Sequence, residues 1–193
     1  MQSLLAVSAL VAAASAATIP AATVPDLERL HSRDTPATPC ASLKPTAPEG
    51  ATIASFTAKE QRGYCQIDTY VTHGDAKDNV RHGTFLPLPE KWNGRYMGNG
   101  GGGMSAGSPS FAPGGVQQGY ACGATDAGLG NSFDGSSWAG NAQLHKNFAH
   151  LSVHEFTVIG KDLAKQYYGK APEFSYWNGC SQGGRQGYMA AQQ

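Results

Sequence analysis

Gly179, Ser181 and Gly183 stand at the spacing G-x-S-x-G inside Tyr-Trp-Asn-Gly-Cys-Ser-Gln-Gly-Gly-Arg-Gln-Gly, residues 176–187. A serine flanked in this way can occupy a tight turn between a strand and a helix, its Oγ held out to attack a carbonyl carbon. Small residues are needed on either side because such a turn brings the backbone close to its neighbours. The pattern is common by itself, so its surroundings decide. Phe174-Ser175-Tyr176-Trp177 reads as a strand before it, and residues 186–193 are compatible with a helix after it. A glycine-rich surface turn is the competing reading. Upstream, Met97-Gly98-Asn99-Gly100-Gly101-Gly102-Gly103 follows another short strand. Glycines there can turn backbone N–H groups toward a developing oxyanion, since no Cβ blocks the approach. Gly100 and Gly101 are the candidate donors, joined by the N–H of Gln182. No Gly-Lys-[Ser/Thr] follows, which excludes a phosphate loop. Met104-Ser105-Ala106 opens no periodic helix, so a dinucleotide fingerprint has little support, and a flexible surface loop is the alternative.

A serine nucleophile needs a base, and after Ser181 the sequence contains no Asp, Glu or His. The six histidines, His31, His73, His82, His145, His150 and His154, all lie upstream. His154 and Glu155 read as helix packing or helix surface. His73 and His82 flank a turn with Asp75 and Asp78, an arrangement that could bind a metal weakly but reads better as a solvated hairpin. Asp126 and Asp134 fall in the glycine-rich region 123–140, where short carboxylates make Asx hydrogen bonds in turns. Asp126 is kept as a possible pocket residue.

The elements that must position these groups are legible in outline. Strands are expected at 64–72, 82–88, 95–99, 119–125 and 174–177 from their β-branched, aromatic and small residues and their turn boundaries. A helix is expected at 149–168, where Val153, Phe156, Gly160, Leu163, Ala164 and Tyr167 recur at helical spacing, with Gly169 as its stop. From 119 onward the order is strand, loop, helix, strand, sharp turn, helix. Such alternation argues an α/β fold with a parallel sheet and crossover helices.

Composition narrows the class. Fourteen basic and fourteen acidic residues cancel, which gives no electrostatic footprint for nucleic acid or an anionic membrane. Residues 1–17 resemble a secretory signal peptide, with an apolar run at 4–14 and small residues at Ala14-Ser15-Ala16-Ala17. That run is too short to span a bilayer. Residues 18–50, rich in Pro, Ala and Thr, read as an extended lead-in with one helical turn at 26–31. Four cysteines (Cys40, Cys65, Cys122, Cys180) fit an oxidising, extracellular compartment. None lies in a C-x-x-C pair, and their spacing leaves three pairings open.

Six segments together resemble one family. They are Trp92-Asn93-Gly94-Arg95, Gly98-Asn99-Gly100-Gly101, Ala124-Thr125-Asp126-Ala127-Gly128, Val153-His154-Glu155, Tyr167-Tyr168-Gly169 and Asn178-Gly179-Cys180-Ser181-Gln182-Gly183-Gly184-Arg185-Gln186. Over about residues 64–193 the chain is similar to fungal tannases and feruloyl esterases, secreted serine esterases of the α/β-hydrolase class. The resemblance implies that Ser181 is the nucleophile and that Gln182 and the Gly100–Gly101 loop supply oxyanion donors. Cys180 resembles a cysteine that bridges to one beside the catalytic histidine, so its partner is expected outside this chain. Cys40 is then expected to pair with Cys65, leaving Cys122 without a mate. Members are more than twice this long, with an inserted lid, usually a calcium site, and then the catalytic Asp and His.

The expected fold is therefore a partial α/β-hydrolase, residues 51–193 forming the N-terminal portion of the catalytic domain up to the nucleophile turn and its helix. The expected activity is hydrolysis of small phenolic esters, gallate or ferulate, through an acyl-enzyme and with no cofactor in the chemistry. The calcium ligands of longer members are absent from this sequence, and the chain by itself is expected to be inactive. The alternative is a secreted, non-catalytic phenolic- or glycan-binding protein that stacks its ligand on Trp92, Trp138, Trp177 and the tyrosines.

Overall fold

A computed structural model describes residues 35–76, 78–111, 113–130 and 134–193. The signal segment at 1–17 and the helical turn at 26–31 lie outside the described residues. Strands β1 (Thr52–Gln61) and β2 (Tyr64–Thr72) form a hairpin. It is closed by Arg62-Gly63, with Gly63 at φ 94°, a left-handed conformation that glycine enters without a steric penalty. β2 alternates cleanly, burying Cys65, Ile67, Thr69 and Val71 and turning the side chains between them outward. β3 (Val80–Pro87), β4 (Arg95–Asn99), a short helix α1 (Pro113–Gln117) and β5 (Ala121–Thr125) follow. Next comes α2 (Ala142–Lys146), which runs through a π-helical turn at Asn147–Leu151 into α3 (Ser152–Tyr168). β6 (Phe174–Asn178) and α4 (Gln182–Ala190) complete the described chain.

The six strands make one mixed sheet in the order β1-β2-β3-β5-β4-β6. The expected parallel arrangement holds for β5, β4 and β6, while β1, β2, β3 and β5 pair antiparallel. For β1, β2 and β3 the antiparallel pairing follows from connection length: short links join β1 to β2 and β2 to β3, and a parallel pair needs a crossover of a dozen residues or more. β1 was not anticipated. Its side chains are mostly exposed, so pairing with β2 rather than an apolar face defines it. The helix begins earlier than its periodicity indicates, and Asn141 caps α2 by accepting from the Gln143 and Leu144 amides at 3.0 and 3.1 Å. Gly169 ends α3 at φ 71°, as expected.

Small residues on β5 and α3 let the helix lie close on the sheet. The Tyr96 ring crosses from β4 between Gly123 and Gly160, and its hydroxyl donates to the Phe156 carbonyl at 3.1 Å. Ile67, Val71, Leu86, Ile159 and Leu163 pack in the same core. Cys40 and Cys65 are bonded, with their Cα atoms 5.7 Å apart, as the resemblance implied, and this ties the N-terminal segment to β2. Cys122 is free and buried, and burial pushes its thiol up to about 12.

The solvated hairpin expected around His73 and His82 is instead a buried ionic cluster. His73 sits between two carboxylates, with Nδ1 2.7 Å from Asp78 and Nε2 2.6 Å from Glu155. His82 Nε2 lies 3.3 Å from the other Glu155 oxygen, within ion-pair range though misaligned for a hydrogen bond. Asn147 donates to Asp78 at 2.7 Å, and the His73 amide donates to Asp78 at 2.9 Å. Asp78, His82, Asn147 and Glu155 are all buried. Glu155 is thus an interior anchor of α3, and its neighbour His154 is exposed. Charges stay in a core only when they are paired and hydrogen-bonded.

The cluster sets a pH window. Burial opposes the charge on His73, yet its bonds to Glu155 and Asp78 outweigh burial and raise it. Burial likewise opposes the charges on Glu155 and Asp78, but His82 and His73 beside Glu155, and His73 and Asn147 beside Asp78, hold both carboxyls low. The His73 contribution is complete below the unfolded histidine value, about 6.5, and is lost as pH rises through its higher folded value. The carboxylate contributions are complete above about 4 and are lost as pH falls through their lower folded values. Thermal melts should therefore be most stable between about pH 4.5 and 6.5. Glu155→Gln should flatten the alkaline limb of the Tm profile, and an unchanged limb would remove the cluster from this role. Glu155→Ala, which leaves both histidines without their shared partner, should cost about 3–5 kcal/mol in denaturant unfolding.

Candidate functional site

β4 and β6 run parallel in a register that pairs Arg95 with Phe174 and ends with Asn99 beside Asn178. Both strands stop at one level, so the glycine loop after Asn99 meets the turn after Asn178. The Gly100 amide donates to the Asn178 carbonyl at 3.0 Å, and the Gly183 amide donates to the Gly101 carbonyl at 3.0 Å and the Cys180 carbonyl at 2.9 Å. The glycines are required by the closeness of the backbones. A Cβ on Gly179 would stand 2.5 Å from the Gly183 carbonyl oxygen, and one on Gly100 would stand 2.5 Å from the Gly183 Cα. Trp177 closes the underside: its indole packs against Gly98 and Gly187, and Nε1 donates to the Gly183 carbonyl at 2.7 Å.

Ser181 sits at the head of α4 with φ 55° and ψ −118°, a conformation that non-glycine residues rarely adopt. Holding it there costs about 1–3 kcal/mol, supplied by the surrounding bonds. The residue is exposed, and its side chain caps no helix amide. Strand, strained serine and helix thus follow in the order a nucleophile turn requires. Among the described residues the N–H of Gln182, the first residue of α4, has no acceptor, as expected of a first-turn amide. It is available to an oxyanion at Ser181.

The expected donors Gly100 and Gly101 need correction. The loop lies where the sequence places it, but both amides are engaged: Gly100 with Asn178, and Gly101 with Gln186 Oε1 at 2.9 Å. They brace the turn and offer no free donor in this geometry. Asp126, the possible pocket residue, has a structural task in the fold. Its Oδ1 accepts from the Arg81 amide at 2.9 Å and the Gly128 amide at 2.8 Å, which fastens the end of β5 to β3 through an Asx turn.

Two residues that sequence reasoning passed over brace α4. Arg185 donates to Gln182 Oε1 at 2.8 Å and to the carbonyls of Ala149 and Phe148 at 2.6 and 2.7 Å. Those carbonyls belong to the π-helical turn, a feature frequent near functional sites. Gln186 is fully buried beneath the glycine loop. The available signal was their polarity, set among glycines directly after the serine.

No described histidine hydrogen-bonds Ser181: His73 and His82 are held in the core, and His145 contacts the Ala139 carbonyl. Cys180, beside the serine, is exposed and free. Among the described residues no group of three or more His, Cys, Asp or Glu could hold a metal ion.

The family model described as "Tannase and feruloyl esterase" matches residues 65–193. The chain is 34% identical to a probable feruloyl esterase of Arthroderma benhamiae over 178 residues, covering 79% of this chain and 33% of that protein. It is 35% identical to a tannase of Aspergillus oryzae over 139 residues, covering 67% of this chain and 23% of the relative. Among solved structures, the tannin acyl hydrolase from Aspergillus niger superposes with a TM-score of 0.66 at 29% identity, over 79% of this chain and 33% of that one. Feruloyl esterase B from Aspergillus oryzae gives 0.63 at 25%, over 76% and 33%. The chain spans a third or less of the length of these relatives.

The strain at residue 181 can be measured. Both Ser181→Ala and Ser181→Gly remove the hydroxyl, but only glycine accepts the positive φ freely. Ser181→Gly should be more stable than Ser181→Ala by about 1–2 kcal/mol in urea unfolding. Equal stabilities would show that the turn is unstrained.

Proposed function

The chain belongs to the tannase and feruloyl esterase family of carboxylic ester hydrolases, and from that premise we propose that it carries the nucleophile of a serine esterase acting on esters of plant phenolic acids. The observation that carries the proposal is the strained, exposed Ser181 standing over the unpartnered N–H of Gln182. In this mechanism the Ser181 Oγ attacks the ester carbonyl carbon as its proton passes to a base. The negative charge that develops on the carbonyl oxygen is received by the Gln182 N–H. Collapse of the tetrahedral intermediate expels the alcohol and leaves an acyl-serine, which water then cleaves to the free acid. Gallate and ferulate esters are the substrate class suggested by the names of the relatives. No cofactor enters these steps.

The base is not among the residues that follow Ser181, which include no His, Asp or Glu. A histidine outside this chain, oriented by an acidic residue, would fill that role. Cys180, exposed and free, would pair with a cysteine beside that histidine and fix base and nucleophile side by side. The Cys40–Cys65 bond supports an oxidising compartment and hence secretion.

The 193-residue chain should show no steady hydrolysis of methyl ferulate or methyl gallate. It should still react slowly and once with a fluorophosphonate, adding one phosphonyl group by intact mass, because a positioned serine and its amide donor remain when the base is gone. Ser181→Ala should abolish the adduct. Identical labelling of wild type and Ser181→Ala would defeat the assignment of Ser181, and sustained turnover would defeat the need for an outside base.

A further inference from the structure

Gln186 lies one turn into α4, fully buried, with both ends of its carboxamide bonded to the glycine loop. Its Oε1 accepts from the Gly101 amide at 2.9 Å, and its Nε2 donates to the Ala106 carbonyl at 2.8 Å. One side chain therefore spans the loop from its entry to its exit. The loop in turn holds the serine turn, through Gly183 N–H to Gly101 O and Gly100 N–H to Asn178 O. The first bond fixes the residue that follows Gln182, and so the direction of the amide that, of the three candidate donors Gly100, Gly101 and Gln182, is left free for an oxyanion. Resting on the assignment of Ser181 as nucleophile, we propose that Gln186 is a positioning residue. It holds the Gly100–Gly101 loop against the serine turn and so sets the Gln182 N–H and the strained Ser181 in reactive geometry, without touching substrate.

Only a side chain that accepts at one end and donates at the other satisfies both loop groups. A fold needing bulk alone at this position would accept leucine. In chemistry, a misplacement of about 1 Å can cost roughly a hundredfold in rate. Without the clamp, the loop loses its tie at Gly101 and Ala106, and the Gly183–Gly101 bond loses its fixed acceptor.

Glutamate in place of Gln186 makes the role testable through pH. As a carboxylate it still accepts from Gly101, but it presents a negative oxygen to the Ala106 carbonyl. Once protonated, its O–H donates to Ala106 and restores both bonds, and burial raises its pKa above that of a free carboxyl. The experiment follows Ser181 phosphonylation by a fluorophosphonate, as intact mass against time, in wild type, Q186E, Q186L and S181A from pH 5 to 9. Each rate is normalised to the folded fraction measured by circular dichroism.

Q186L should label about 10- to 100-fold more slowly than wild type at every pH. Q186E should match that loss at alkaline pH and recover toward the wild-type rate as pH falls, a pH dependence that a packing role would not produce. A folded Q186L that labels at the wild-type rate, or a Q186E-to-wild-type ratio flat across the range, overturns the proposal. Should Q186L fail to fold, the Q186E ratio decides alone. If wild type labels no faster than S181A, the assignment of Ser181 has failed instead, and this inference falls with it.

Discussion

Everything at the candidate site depends on two backbones being allowed to touch. The parallel register of β4 and β6 delivers the glycine loop and the serine turn to one place, and the absence of side chains at Gly100, Gly179 and Gly183 lets them close. A single methyl group on Gly100 or Gly179 would meet main-chain atoms of Gly183 at 2.5 Å, where nothing flexible can yield. The strain at Ser181 follows from that closeness. The turn is held from below by Trp177, from the side by the loop and from the helix by Gln186 and Arg185. The strained conformation of the serine is thus a property of the packing around it more than of the residue itself.

The second organising interaction is the ionic cluster in the core, and the two are connected. Asn147 bonds Asp78 at 2.7 Å and opens the π-helical turn, and the next two residues of that turn present their carbonyls to Arg185. A run of polar contacts therefore reaches from the link between β2 and β3, through the start of the long helix, to the helix that carries the serine at its head. The cluster ties α3 to β3 and to the link between β2 and β3, and removing any one of its partners would leave a buried charge uncompensated.

How far the sequence foretold this depends on the range of the interactions. β2, β3, the long helix with its glycine stop and the strand–serine–helix order were legible because local pattern decides them. β1 was missed because exposed side chains leave no apolar alternation, and pairing with β2 does the work. His73 and Glu155 are 82 residues apart, so no spacing could announce their contact. The glycine loop was correctly found as a neighbour of the serine, but its amides were assigned as free. Whether an N–H is free depends on what lies opposite it, and Gln186 supplies that partner from 85 residues away.

The bond between Cys40 and Cys65 has a consequence for the outer side of the sheet. It closes a covalent ring that contains the whole of β1, the exposed strand at the sheet edge. A protease that cuts once within that ring releases nothing. The severed ends stay attached to β2 and can pair with it again, because their local concentration is set by the tether and not by dilution. The element least protected by burial is thus retained by topology.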